Sequence, residues 1–94
     1  MNKTLLINRI NPQDFTNLKK NIFFLIGDIN VPEVDNKLIN VLNKTDLVDK
    51  NDIVFKYNGV ELNITVQTIP KIISLLIKED LSIYSVFQTY NPDF

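Results

Sequence analysis

Three aspartates at a spacing of three residues suggest metal binding. Asp46, Asp49 and Asp52 lie beside Asn51, and carboxylate and amide oxygens are the ligands that Ca²⁺ prefers. A calcium-binding helix-loop-helix needs such residues at alternating positions, with a central glycine and a terminal glutamate. The chain lacks that pattern here, so we interpret the segment as a solvated polar connection and predict no metal site.

Glu79 and Asp80 form the only other candidate, a carboxylate pair for acid/base chemistry. Adjacent residues at the end of a helix point in different directions and lie in water, where a carboxyl group is a weak general base at neutral pH. We therefore predict a polar helix exit at this position.

The residue types that the chain lacks exclude most kinds of active site. Cysteine and histidine are absent, which removes thiol catalysis, thiolate metal sites and the commonest general base. Gly27 and Gly59 are the only glycines, too few for a phosphate-binding loop. We expect no catalytic residue, no cofactor and no metal, and therefore no enzyme.

The charge balance argues against nucleic acid as a partner. Ten basic and eleven acidic residues give a net charge of -1, and no run of lysine or arginine marks a nucleic-acid-binding face. The aromatic residues at 55, 57, 84, 87 and 90 resemble the stacking residues of an RNA-binding sheet, but the glycines and basic residues of that motif are missing. Packing and protein contacts are the favoured interpretation of these aromatic residues.

A cytoplasmic location is predicted from the first residues. The apolar stretch at 5–7 is too short for the core of a signal peptide or for a membrane span. The chain of 94 residues, 45% of them hydrophobic, is large enough for one domain with its own core. We expect a single domain over 1–94 without direct membrane insertion.

Strict alternation of apolar and polar residues over 60–67 predicts a strand with one packed face. A second strand is predicted over 52–57. Asn58-Gly59 would connect the two as a type I′ turn, in which both central residues have positive φ.

The first third of the chain predicts a strand over 3–10 and then a helix over 12–26. Asn11 would cap this helix, Pro12 would occupy its first position, and apolar residues would recur at helical spacing up to Gly27, the expected stop. In the next segment, 32–44 is interpreted as a short helix that begins at Pro32, although 38–42 is also compatible with a strand.

The remaining elements complete an α+β fold. Pro70 and the apolar stripe over 69–77 predict a helix capped by Thr68 or Gln67, and 81–90 predicts the last strand. The order of elements is that of a ferredoxin-like split βαβ sandwich, a four-stranded antiparallel sheet with helices on one face.

The uncovered face of such a sheet and the last strand are the predicted interaction surface. On simple alternation, Tyr84 and Val86 point to the opposite face from Ile83 and Phe87, so that this strand is apolar on both sides. The candidate interaction residues are those of the last strand and the chain end: Tyr84, Val86, Tyr90 and Phe94.

The segments 61–66 and 69–86 together resemble a known family. The strand, the string Ile-Pro-Lys-Ile-Ile-Ser-Leu-Leu on the helix and the string Ile-Tyr-Ser-Val on the next strand are similar to the accessory C-terminal domain of bacterial ABC transporter ATP-binding subunits, of the bacitracin-export and lantibiotic-immunity type. The family's Leu-Glu-Asp-x-x-Phe signature does not occur in 90–94, so no functional residue is transferred to this chain.

The resemblance implies a non-catalytic regulatory domain that binds the ATPase core or another transporter subunit. Two alternatives stay open: a free-standing small protein of phage or host defence that inhibits another protein, and a ferredoxin-like dimer that senses a small molecule between its subunits. A homodimer is also compatible with the interpretation as a regulatory domain.

Overall fold

The computed structural model describes residues 10–89, which form a four-stranded sheet and two α-helices. Single 3₁₀ turns precede the second strand and the second helix, at Lys50–Asp52 and Val66–Thr68. The strands and helices are β1 (Lys20–Ile26), α1 (Pro32–Lys44), β2 (Ile53–Lys56), β3 (Gly59–Ile64), α2 (Ile69–Lys78) and β4 (Ile83–Gln88).

The sheet is antiparallel, with the strand order β2-β3-β1-β4. Since β1 and β2 both run antiparallel to β3, helix α1 joins two parallel strands that have β3 between them. Helix α2 likewise joins two parallel strands, β3 and β4, which have β1 between them. This is the split βαβ arrangement, and the predicted fold class, a ferredoxin-like α+β sandwich, fits the structure.

Both helices pack on one side of the sheet, because a single cluster of buried residues joins them to it. Alternate residues of β1 and β3 supply the sheet side, as the period of two requires. The alternation of buried and partly exposed residues predicted for 60–67 is confirmed, with Val60 and Leu62 fully buried. The predicted strand is too long, because β3 ends at Ile64 and Val66 begins a 3₁₀ turn. The cluster is centred on Ile22, Phe24, Leu38, Leu42, Val60, Leu62, Ile72 and Leu76.

The predicted helix over 12–26 is wrong. Residues 20–26 form β1, the inner strand next to β3 and β4, and 11–19 is irregular. Side chains satisfy the backbone in that irregular segment: Asn11 accepts from the Gln13 N–H, and Asp14 accepts from both the N–H and the hydroxyl of Thr16. Such local bonds compete with helix formation, whereas β-branched and aromatic residues favour a central strand.

The strand predicted over 3–10 lies outside the described residues except for Ile10. Ile10 belongs to no strand and packs against the core cluster. The first strand of the described fold is therefore β1, and the first helix is α1, which confirms the helical interpretation of 32–44.

The hairpin between β2 and β3 is confirmed, but its predicted turn is wrong. Lys56 pairs with Gly59, so the two connecting residues are Tyr57 and Asn58. Neither Asn58 nor Gly59 has a positive φ, which excludes a type I′ turn.

The predicted cap of α2 is also wrong in detail. Thr68 occupies the cap position without a side-chain hydrogen bond to the helix, and its hydroxyl lies 2.8 Å from the Thr65 hydroxyl. The Gln67 amide instead donates to the carbonyl oxygens of Pro12 and Asp14, at 2.8 and 3.1 Å. Gln67 therefore fastens the irregular 11–19 segment to the start of α2.

Candidate interaction surface

The side of the sheet opposite the helices is not covered by any element within residues 10–89. We call this side the outer face. The strand register places one residue of each strand in a row across it, because Glu61 is opposite both Val54 and Phe23, and Phe23 is opposite Phe87. Leu25 and Lys56 lie in the neighbouring row, on either side of Gly59. The outer face is defined by Phe23, Leu25, Val54, Lys56, Glu61 and Phe87.

Two phenylalanine rings form the part of the outer face that β1 and β4 contribute. The centroids of the Phe23 and Phe87 rings are 5.4 Å apart with the planes tilted by 45°, a favourable geometry for an aromatic cross-strand pair. Phe23 is 8% exposed, whereas Phe87 is 36% and Val54 is 50% exposed. The row is thus apolar on the β1–β4 side, whereas Glu61 separates Phe23 from the exposed Val54 on the β2 side.

One pair of opposite charges lies on the β2 side of the outer face, with Glu61 inside the row and Lys56 in the neighbouring row. The Lys56 ammonium lies 3.9 Å from the Glu61 carboxylate, and both side chains keep some contact with water. A long, partly exposed pair of this kind contributes little to stability. Its groups therefore remain ready to form charged contacts with a partner.

A bulge in β4 changes the predicted positions of the candidate residues. Ile83 pairs with Ile26 and Ser85 pairs with Leu25, so Tyr84 is an extra residue. Ile83 and Val86 consequently both pack against the core, which corrects the predicted alternation and moves Val86 away from the outer face.

Of the other candidate residues, only Tyr84 lies within the described residues. Tyr84 is 74% exposed, and its ring lies against Gly27. Tyr90 and Phe94 lie outside the described residues. Sequence reasoning did not include Phe23, because 12–26 was interpreted as a helix. It did not select Val54 either, although 52–57 was predicted as a strand. The signal for Phe23 was the apolar character of 22–26 on all sides, which is typical of a central strand.

The aspartate segment contains an ion pair rather than a metal centre. The Lys19 ammonium donates to the Asp52 carboxylate at 2.8 Å, which lowers the pKa of Asp52 and raises that of Lys19. A cavity of about 250 Å³ lies beside Asp46, Asp49 and Asp52. Within residues 10–89, no group of three carboxylates is placed to hold a metal ion.

A larger groove of about 670 Å³ separates the two helices on the side away from the sheet. Its lining mixes the carboxylates of Glu33 and Glu79 with the ammonium groups of Lys37 and Lys44. The chain has no histidine and no cysteine, so these charged groups have neither an imidazole nor a thiol beside them.

No helix in the described part of the chain is long and apolar enough to cross a membrane. Comparisons with protein-family models, with curated proteins and with solved structures found no match to this chain. The outer face is thus the feature of the structure from which a function can be argued.

Proposed function

We propose that this chain is a non-catalytic protein-interaction domain that regulates a larger protein by binding it through the outer face. The observation that carries the proposal is the pair of Phe23 and Phe87 rings on that face. Phe87 is partly exposed there, and Val54 adds a second exposed apolar side chain beyond Glu61. A contiguous apolar patch rimmed by polar groups is typical of a protein-binding site. Lys56 and Glu61 supply such a rim.

The proposed partner is the ATP-binding subunit of a bacterial ABC transporter, in the cytoplasm. The support is the resemblance of 61–66 and 69–86 to the accessory domain of such subunits. ATP hydrolysis would then belong to the partner, since this chain has only two glycines and therefore no phosphate-binding loop. The partner would present an apolar patch with one acidic and one basic group opposite Lys56 and Glu61.

Site-specific photo-crosslinking tests both parts of this proposal. A photoreactive phenylalanine analogue replaces Val54 on the outer face or, as the matched control, Lys71 on the exposed side of α2. The expected result in the native cell is an adduct with an ATP-binding subunit, identified by mass spectrometry, from position 54 and none from position 71.

Two results would contradict the proposal in different ways. Equal adducts from both positions, or none from position 54, would remove the outer face as a binding site. An adduct from position 54 with a protein of another class would keep the binding site but reject the transporter.

A further inference from the structure

Within residues 10–89, β4 is an edge strand without the usual protection against pairing with another strand. The other edge, β2, spans four residues and carries Lys56, and short length and lysine are both devices that block edge pairing. β4 spans six residues, Ile-Tyr-Ser-Val-Phe-Gln, with no charge and no proline. Its bulge lies at Tyr84, near the beginning, so the strand is regular from Ser85 onward.

Val86 and Gln88 direct their backbone hydrogen-bonding groups to the free side of β4. The Thr89 N–H donates to the Asn21 carbonyl at 3.0 Å, which marks Asn21 and Thr89 as a hydrogen-bonded pair of the ladder. Such pairs alternate with non-hydrogen-bonded pairs along an antiparallel ladder. The backbone of Phe87 therefore bonds to β1, whereas the N–H and C=O groups of Val86 and Gln88 point away from the sheet.

Helix α2 presents an apolar flank above the same edge. Leu75 and Glu79 line the groove toward α1, so Ile73 and Ile77 lie on the flank that faces away from α1. Because α2 connects β3 to β4 and contacts β4, this flank lies on the β4 side of the molecule. Ile77 is 57% exposed there.

We propose that β4 pairs antiparallel with β4 of a second copy, about a two-fold axis at Phe87, so that the two sheets become one. In this register Val86 and Gln88 of one copy form hydrogen-bonded pairs with Gln88 and Val86 of the other. Phe87 then faces Phe87 of the second copy in a non-hydrogen-bonded pair, where side chains approach most closely. An axis at Val86 would make only one hydrogen-bonded pair before it reached the bulge at Tyr84.

A second copy fits this edge better than an isolated peptide strand does. The edge is uncharged and self-complementary, and the Phe23–Phe87 ring pair would continue across the axis into the same pair of the second copy. An isolated peptide strand would bond to the free backbone N–H and C=O groups of β4 but would leave Ile77 exposed. A second copy brings its own α2 flank to the same side of the joined sheet, as two-fold symmetry requires.

Proline substitution at a single backbone position tests the pairing. Gln88→Pro removes an N–H that faces solvent in the monomer, a position where an edge strand tolerates proline. Gln88→Ala is the matched control, because it shortens the side chain and keeps the N–H. Sedimentation equilibrium of the wild-type chain should show a monomer–dimer equilibrium, and Gln88→Pro should raise the dimer Kd by roughly 10- to 100-fold relative to Gln88→Ala.

Cysteine cross-linking tests the register, and the absence of native cysteine makes the result unambiguous. Phe87→Cys should give a disulfide-linked dimer under mild oxidation, since Cα atoms about 4.5 Å apart lie within disulfide range. Ser85→Cys, which lies off the axis, should stay unlinked. A wild-type chain that is monomeric at all concentrations, equal Kd values for Gln88→Pro and Gln88→Ala, or linkage of Val86→Cys in place of Phe87→Cys would overturn the proposal.

The dimer does not rest on the proposed function. The strand edge and the outer face are tested by different substitutions. Val54 contributes to the outer face and lies on β2, at the opposite edge of the sheet from β4. A failed photo-crosslink at Val54 with an intact dimer, or the reverse, would identify which of the two proposals is wrong.

Discussion

At the scale of single residues, the two glycines have different roles, and the difference can be measured. A Cβ atom at Gly59 would lie 2.0 Å from the carbonyl oxygen of Phe24, whereas one at Gly27 would lie 2.5 Å from Cε1 of Tyr84. The Phe24 oxygen belongs to the backbone of a central strand, but the Tyr84 ring is exposed and is free to rotate away.

Gly59→Ala should therefore lower the free energy of unfolding by about 2–3 kcal/mol, as overpacking does. Gly27→Ala should lower it by less than about 1 kcal/mol. Urea denaturation of both variants measures the difference, and equal losses would show that the contact at Gly59 relaxes as easily as the one at Gly27. The sequence predicted a special role for Gly59 but assigned it to positive φ, because close approach between strands leaves no local sequence signal.

Lys19 and Asp52 predict a defined pH dependence. The hydrogen bond from Lys19 lowers the pKa of Asp52 below its ordinary 3.8, and the bond to Asp52 raises the pKa of Lys19 above its ordinary 10.5. The contribution of Asp52 is present above its ordinary pKa and is lost as pH falls through the lowered value. The contribution of Lys19 is present below its ordinary pKa and is lost as pH rises through the raised value.

The difference in unfolding free energy between wild type and Asp52→Asn should therefore be constant near neutral pH and shrink at both extremes. Urea denaturation across the pH range measures it, with Asp46→Asn as the control of the same residue type. A difference that persists in acid would contradict the ion pair. The partners are 33 residues apart in sequence, so spacing alone could not have identified them.

At the scale of elements, the end of α2 carries a strained residue. Asp80 has φ 62°, and the Leu81 N–H donates to the Leu76 carbonyl at 3.1 Å, a helix ending that favours glycine or asparagine at the left-handed position. The helix therefore ends at Glu79 and Asp80 in solvent-exposed polar residues, as predicted. The left-handed conformation of Asp80 was not predicted, because aspartate occurs in many backbone conformations.

Asp80→Gly should raise the free energy of unfolding by about 0.5–1 kcal/mol, because glycine adopts this conformation without strain. Asp80→Ala removes the same carboxylate but keeps a Cβ, so it should not stabilise the protein. Thermal unfolding of the two variants separates the effects. A stabilisation by Asp80→Ala of the same size would assign the gain to charge removal instead.

The segment 12–26 shows what a pattern can and cannot determine at this scale. Its apolar residues fit helical spacing, yet they also fit a strand buried on both faces, and only long-range pairing with β3 and β4 distinguishes the two. The fold class was nevertheless predictable, because helix 32–44 occupies the position between the first two strands that had been assigned to 12–26. The alternation that begins at Val60 and the helix over 69–77 depend on local sequence and are confirmed, although the strand ends at Ile64 and Ile77 is 57% exposed.

At the scale of the whole molecule, the predicted uncovered face exists within the described residues, but its composition was not predictable. One extra residue at Tyr84 reverses the orientation of the preceding part of β4 relative to simple alternation. Val86 consequently supports the core, while Phe87 and the strand edge become available to partners. A bulge depends on how two strands meet, so it leaves no trace in the period of one strand.

The single core cluster predicts that the described fold unfolds as one unit. Leu42 in α1 and Leu76 in α2 are both fully buried and belong to the same cluster, whereas Leu18 is 66% exposed. Leu42→Ala and Leu76→Ala should each lower the free energy of unfolding by about 2–5 kcal/mol, and Leu18→Ala should change it by less than about 0.5 kcal/mol. In all three variants, helix content by far-UV circular dichroism and tyrosine fluorescence should follow one common urea transition. If Leu42→Ala gave different urea transitions for circular dichroism and for fluorescence, α1 would unfold independently of the sheet. The shared packing of both helices on one side of the sheet would then not be the main source of the stability of the domain.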